Sequence, residues 1–294
     1  MVVLVTGANG QLGQAIQSIS RKYTEIDFVF CSLSDLDITN IDQCRQLFEQ
    51  YTPNYCINAA AYTAVDKAES EPEKAHLINV VGTKNLAEIC KESHTILLHV
   101  STDFVFDGEN AMLSPESQEK GYSEEDLTKP TGVYGQTKLD GEKAIQATFN
   151  SFFIIRTSWV FSQFANNFMK TMLRLATERD SISVVNDQIG TPTHAVDLAE
   201  ALLTIITHTA KNQNKTNSLY GIYNFSNEGR CSWYDFAKKI FEVNHVSIAV
   251  HPIPTTSYPT PAKRPHFSVL NKDKIKTTFD LTIRPWQETI EIQK

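Results

Sequence analysis

The chain has 294 residues, room for one large domain or two that share a core at roughly 100 to 200 residues per domain. Its 41% apolar and 21% charged residues exclude a disordered or collagen-like chain. The net charge of −7 disfavours a broad basic face of the kind that follows nucleic-acid backbone. Residues 245–294 nevertheless carry seven Lys and Arg against four Asp and Glu, so a phosphate-bearing ligand would find positive charge there.

Short apolar runs alternate with helical periodicity through the first half. Val2–Val5, Asp27–Cys31, Tyr55–Asn58, Ile96–Ser101 and Phe153–Thr157 predict buried strands, being continuous and rich in β-branched or aromatic residues. Gln11–Lys22, Ile41–Tyr51, Glu73–Glu92 and Tyr134–Thr148 predict the helices between them. Such βαβ repetition implies a doubly wound parallel α/β sheet of Rossmann type, with a smaller C-terminal substrate-binding region. Further on, Asn167–Glu178, Ala195–Thr207 and Ser232–Val243 read as helices and Gly221–Phe225 as one more strand. Lys211–Ser218 and the proline-studded Pro252–Pro265 read as surface loops. The expected division is a nucleotide-binding domain over 1–160, completed by parts of 189–226, and a substrate region over 161–188 and 227–294.

The five cysteines, Cys31, Cys44, Cys56, Cys90 and Cys231, form no Cys-x-x-Cys pair and have no His at zinc spacing, which predicts free thiols in a reducing cytoplasm. No run approaches the roughly 20 apolar residues of a membrane span, and Met1 leads directly into the first strand without a leader pattern. A cytoplasmic protein is expected.

The first strand runs into Thr6-Gly7-Ala8-Asn9-Gly10-Gln11-Leu12-Gly13 and then a helix. Glycines at 7, 10 and 13 suit a tight turn, close approach to a pyrophosphate and close helix packing, while the helix N-terminus offers N–H groups and a positive dipole. A dinucleotide is the expected ligand. The second strand ends Cys31-Ser32-Leu33-Ser34, with no carboxylate before Asp35 and no Arg, so NADPH and NADH both stay open.

Tyr134 and Lys138 stand four residues apart, one turn along one face of a helix. A fixed cation lowers a tyrosine pKa from about 10, suiting the phenol to protonate an oxyanion formed by hydride attack. Val100-Ser101-Thr102-Asp103 closes a strand at the sheet edge where ligands collect, placing a hydroxyl that could bond a substrate carbonyl. The combination predicts a reductase.

These segments resemble the extended short-chain dehydrogenase/reductases, in the branch that reduces sugar nucleotides. The resemblance runs through Thr6–Gly13, Asn58–Glu69, Ser101–Gly108, Tyr134–Glu142, Arg156–Val160, Asn167-Phe168, Asn186–Thr193 and Arg264-Pro265, nearly the whole chain. It implies Tyr134 as general acid, Lys138 on the coenzyme ribose and Thr102 on the keto oxygen. It further implies coenzyme contacts at Gly7, Gly10, Gln11, Leu12, Gly13, Asp37, Ile38, Ala60, Ala61 and Tyr62, and substrate contacts at Asp103, Trp159, Asn167 and Arg264. The reaction implied is NAD(P)H-dependent reduction of the C4 ketone of dTDP-4-dehydro-L-rhamnose, or of another dTDP-6-deoxy-4-ketohexose. The expected partners are that dTDP-sugar, no nucleic acid, no membrane and, as an assembly, a homodimer. Phe104 stands where dehydratases of the family need an acid. Gln14 stands where an acid would help hold the magnesium some relatives use, so no metal is expected. A non-catalytic nucleotide-sensing subunit is the alternative class, and intact Tyr134, Lys138 and Thr102 argue against it.

His99, His194, His251 and His266 lack a partner at ligand spacing and read as ordinary core or surface histidines. The acidic runs Glu69–Glu73 and Glu116–Asp126 read as solvated helix starts or loops. Trp233 and Phe236, three apart, read as core packing.

Overall fold

The computed structural model describes residues 1–109, 114–212 and 218–290. Its elements begin with β1 (Val2–Thr6), α1 (Gln11–Ile19), β2 (Asp27–Cys31), α2 (Ile41–Tyr51), β3 (Tyr55–Asn58), the short α3 (Val65–Ala68) and α4 (Pro72–His76), α5 (Thr83–Glu92) and β4 (Ile96–Thr102). Next come α6 (Pro115–Lys120), α7 (Val133–Thr148), β5 (Phe152–Thr157), β6 (Val160–Phe161), α8 (Phe168–Glu178), β7 (Ser181–Val185), β8 (Ile189–Gly190) and β9 (Thr193–His194). The chain closes with α9 (Ala195–Lys211), β10 (Gly221–Asn224), β11 (Cys231–Ser232), α10 (Trp233–Val243), β12 (Ala249–Ile253) and α11 (Asp273–Phe279).

Six strands form one sheet in the order β10-β5-β4-β3-β1-β2, and every pairing in it is parallel. Side-chain alternation divides its apolar residues between two helical layers. Val3, Val5, Ile57, Leu98, Phe153 and Ile155 pack with α1, α9 and α11, and Leu4, Cys56, Leu97 and Ile154 pack with α2, α5 and Ile145 of α7. Because β1 has β2 on one side and β3 on the other, the connections diverge there, opening a crevice at the carboxyl ends of the strands. All five cysteines are buried free thiols. Among the described residues no helix is long and apolar enough to cross a membrane.

Three expectations change. The helix expected over Glu73–Glu92 is interrupted by a π-helical turn, Leu77–Gly82. The wider turn carries Asn79, 1% exposed, whose Oδ1 accepts the Tyr62 N–H at 2.8 Å and whose Nδ2 donates to the Tyr62 carbonyl and Thr137 Oγ1, both at 3.1 Å; such a bulge lets one polar side chain turn inward. The second change is in Pro252–Pro265, where Pro252 and Ile253 lie in β12, parallel to β7. Among the described residues that sheet has only these two strands, so the proline sits on an edge, where its missing N–H costs no ladder bond. Third, α9 runs on to Lys211, beyond the expected Thr207. Residues 213–217 of the loop expected over Lys211–Ser218 lie outside the described residues.

Candidate active site

The loop after β1 is built by steric necessity. Gly7 has φ 64°, and a Cβ there would lie 2.8 Å from the Ala59 and Ala60 backbone; one on Gly13 would lie 2.5 Å from the Gly7 carbonyl. Gly10 precedes α1 as its N-cap with no side-chain cap, leaving the first-turn N–H groups to an outside partner. Gly10, Gln11 and Leu12 line one wall of a cavity of about 500 Å³ at the strand ends. An anionic pyrophosphate fits this uncapped, glycine-lined end of α1.

The opposite wall brings together Ala61, Thr102, Asp103, Tyr134 and Lys138. Tyr134 shares this wall with Thr102, whose hydroxyl donates to Asp103 Oδ1 at 3.0 Å and accepts the Phe104 N–H at 3.2 Å. Burial pushes the phenol up to about 12, with Asp103 adding to it and Thr102 opposing. The phenol thus moves opposite to the lowering expected from Lys138, because burial takes water away from the phenolate form. Burial likewise pushes Lys138 down to about 8, against the pull of Glu142, and pushes the Asp103 carboxyl up to about 6, against the opposing influence of the Ser268 and Thr102 hydroxyls.

The wall is fixed from behind. Glu142, two turns beyond Tyr134 on α7, is 0% exposed and receives Arg156 Nε at 3.1 Å, Arg156 Nη2 at 2.8 Å and Ser101 Oγ at 2.5 Å. Arg156 also lies over the Phe106 ring at 5.2 Å. One carboxylate thus ties α7 to β4 and β5. In front, Glu69 accepts the Val133 N–H at 2.9 Å, supplying the start of α7 with a cap its own Gly132 cannot. Glu69 does more than the solvated role expected of it.

Among the substrate candidates, Trp159, Asn167 and Arg264 all line the cavity. Trp159 has φ 47° and stacks on Trp233 with ring centroids 3.6 Å apart. Trp233 also lines the cavity, so it is more than the core packing expected, whereas Phe236 is fully buried. Asn167 is committed: its Oδ1 caps α8, and its Nδ2 donates to Gln11 Oε1 at 2.8 Å and the Ser162 carbonyl at 2.7 Å. The same Gln11 side chain donates to the Val160 carbonyl at 3.0 Å. Arg264 sits at the mouth, paired with Asp66 at 2.8 Å.

Asp37, Ile38, Ala60 and Tyr62 are not in the cavity wall. Asp37 accepts from the Thr39 N–H and hydroxyl, Ile38 packs at Gly82, Ala60 donates its N–H to Thr6 Oγ1 and Asn58 Oδ1, and Tyr62 donates its hydroxyl to Glu71 at 3.0 Å. Sequence reasoning missed Glu142, Arg156 and His99. Glu142 had a signal, since it continues the Tyr134, Lys138 spacing by four. His99 is buried as expected, yet its ring lies 3.1 Å from Lys138 Nζ.

The family model described as the RmlD substrate binding domain matches residues 1–292. The chain is 40% identical to a dTDP-4-dehydrorhamnose reductase of Aggregatibacter actinomycetemcomitans, over 98% of this chain and 97% of the relative. It is similar to the crystal structure of a dTDP-4-dehydrorhamnose reductase from Clostridium acetobutylicum, with TM-score 0.88, 40% identity and coverage of 99% and 97%. A Bacillus anthracis dTDP-4-dehydrorhamnose reductase solved in complex with NADP aligns with TM-score 0.89 and 39% identity, covering 98% and 96%.

Proposed function

The chain belongs to the family of the RmlD substrate binding domain, and from that premise we propose that it is an NAD(P)H-dependent oxidoreductase reducing the C4 ketone of dTDP-4-dehydro-L-rhamnose to dTDP-L-rhamnose. The observation that carries this is Tyr134, Lys138 and Thr102 brought together in the cavity that the Gly10–Leu12 loop also lines.

Gly7, Gly10, Gln11, Leu12 and Gly13 would hold the coenzyme pyrophosphate, Asp37 and Ile38 its adenosine end, and Ala60, Ala61 and Tyr62 its path along the sheet edge. When bound, the reduced coenzyme supplies hydride to the carbonyl carbon. The chain's own residues do the rest. Thr102 orients the C4 oxygen, Tyr134 gives it a proton from the phenol, Lys138 holds the ribose and restores charge balance beside the phenolate, and Asp103 and Trp159 hold the sugar. Of the two candidates for the pyrophosphate side, Arg264 is the stronger, because Asn167 already spends both ends of its amide inside the fold. Residues 161–188 and 227–294 form the substrate region in this reading. The protein works in the cytoplasm, without nucleic acid or membrane, with a homodimer as its assembly.

Two measurements check it. Purified protein given dTDP-4-dehydro-L-rhamnose should consume the absorbance of NADPH or NADH, with NMR identifying the C4 configuration of the product. Coenzyme binding without consumption would instead mark a nucleotide sensor. Arg264→Ala removes a charge-assisted contact, so KM for the sugar nucleotide should rise about tenfold or more with kcat little changed. A loss confined to kcat would place Arg264 elsewhere in the mechanism.

A further inference from the structure

His99, on β4, is fully buried between Asn58 on β3 and Lys138 on α7. Its Nδ1 lies 3.0 Å from Asn58 Nδ2 and its Nε2 3.1 Å from Lys138 Nζ. The orientation of the Asn58 amide is fixed from the other side, since its Oδ1 accepts the Thr6 hydroxyl at 2.7 Å and the Ala60 N–H at 3.2 Å. Asn58 Nδ2 only donates, so Nδ1 of the imidazole accepts, and the ring proton of a neutral histidine sits on Nε2. That Nε2–H points at Nζ. An ammonium there would set donor against donor; an amine accepts the Nε2–H and still donates to the Val100 carbonyl at 2.7 Å.

We propose that His99 is a positioning residue: before coenzyme binds it holds Lys138 as the unprotonated amine, and coenzyme binding draws that side chain away as the ammonium. The proton gained by Nζ comes from solvent, and no other bond is made or broken. The inference rests on the coenzyme role proposed for Lys138 above. Burial makes both neutral forms accessible, holding His99 well below its ordinary range and Lys138 at about 8. The titratable groups around the pair are Glu142 one turn on along α7, itself held by Arg156 of β5, Tyr134 one turn back, and Asp103 after β4. The neighbouring faces of β3 and β1 present the neutral Asn58 and Thr6. Glu142 favours the ammonium, and the imidazole Nε2–H opposes it.

A linkage follows. Coenzyme binding should take up on the order of half a proton per site near pH 8.5, falling towards zero at pH 6.5, where Lys138 is already charged. The measurement is calorimetric titration of the wild-type protein with NADPH and with NADH in buffers of different ionisation enthalpy. The 2′-phosphate of NADPH, with a second pKa of about 6, is fully ionised at pH 8.5 and adds no exchange. His99→Gln gives Nζ a carbonyl oxygen that accepts from an ammonium, and should cut the uptake at least fivefold. Asn58→Asp keeps an acceptor for Thr6 and Ala60 but takes the ring proton to Nδ1, leaving Nε2 to accept from an ammonium; it should collapse the uptake in the same way, and serves if the first variant does not fold. Wild-type binding with no uptake at pH 8.5, or both variants binding with wild-type uptake, would overturn the proposal while leaving the proposed function intact. Failure of the wild type to bind either coenzyme would overturn both.

Discussion

Tyr134→Phe should leave the protein folded and able to bind coenzyme while lowering kcat by a factor of about 10² to 10⁴, the range for a positioned general acid. The ring stays packed edge-on against Phe104, with centroids 5.6 Å apart, so only the hydroxyl is lost. With the phenol pushed up to about 12, the wild-type tyrosine keeps its proton through the whole working range. Ultraviolet titration of the coenzyme-free protein should therefore show no ionisation of Tyr134 between pH 6 and 9. Single-turnover hydride transfer, followed by coenzyme absorbance, separates this loss from slow binding. A variant that turns over like the wild type would remove Tyr134 from the chemistry.

The second large effect is on stability. Glu142→Gln keeps the shape of the side chain but leaves the Arg156 guanidinium, 2% exposed, without its counter-charge. Breaking one partner of a buried pair costs about 3 to 5 kcal/mol, which at roughly 2 to 4 °C per kcal/mol for a chain of this order lowers Tm by about 10 °C. The paired replacement Glu142→Leu with Arg156→Met should recover much of that Tm, because it removes both desolvation costs together. It should not recover full activity, since Ser101 also loses its bond to Glu142, one of the ties between α7 and the strand that carries Thr102. Equal Tm for wild type and Glu142→Gln, by calorimetry, would show that the pair does not carry this load.

The parallel sheet was legible because its strands are buried on both faces and so read as continuous apolar runs; Asp27–Cys31 and Tyr55–Asn58 coincide with β2 and β3, and the other three expected first-half strands match within one residue at each end. The Tyr134 and Lys138 pair was legible because a spacing of four on one helix sets it, whereas only the fold brings Thr102 to the same cavity. What escaped was set by tertiary contact. Nothing local marks Leu77–Gly82 as π-helical, since the reason is Asn79 reaching the Tyr62 backbone seventeen residues away. Trp233 has the spacing of a core residue, and only the fold brings Trp159 across to stack on it. The tyrosine pKa went the other way from expectation because sequence spacing counts the neighbouring cation but not the loss of water around the phenol.

The turn at Leu77–Gly82 also has a bearing on how the chain tolerates change in length. A π bulge amounts to a surplus residue inside an otherwise α-helical segment, so shortening this stretch by one would let the helix close regularly while Leu86, Ile89 and Cys90 kept facing the sheet. The globule would survive such a deletion; the clasp from Asn79 to Tyr62 and Thr137, which joins the loop after β3 to α7, would not. Foldability and competence are therefore encoded separately at this spot.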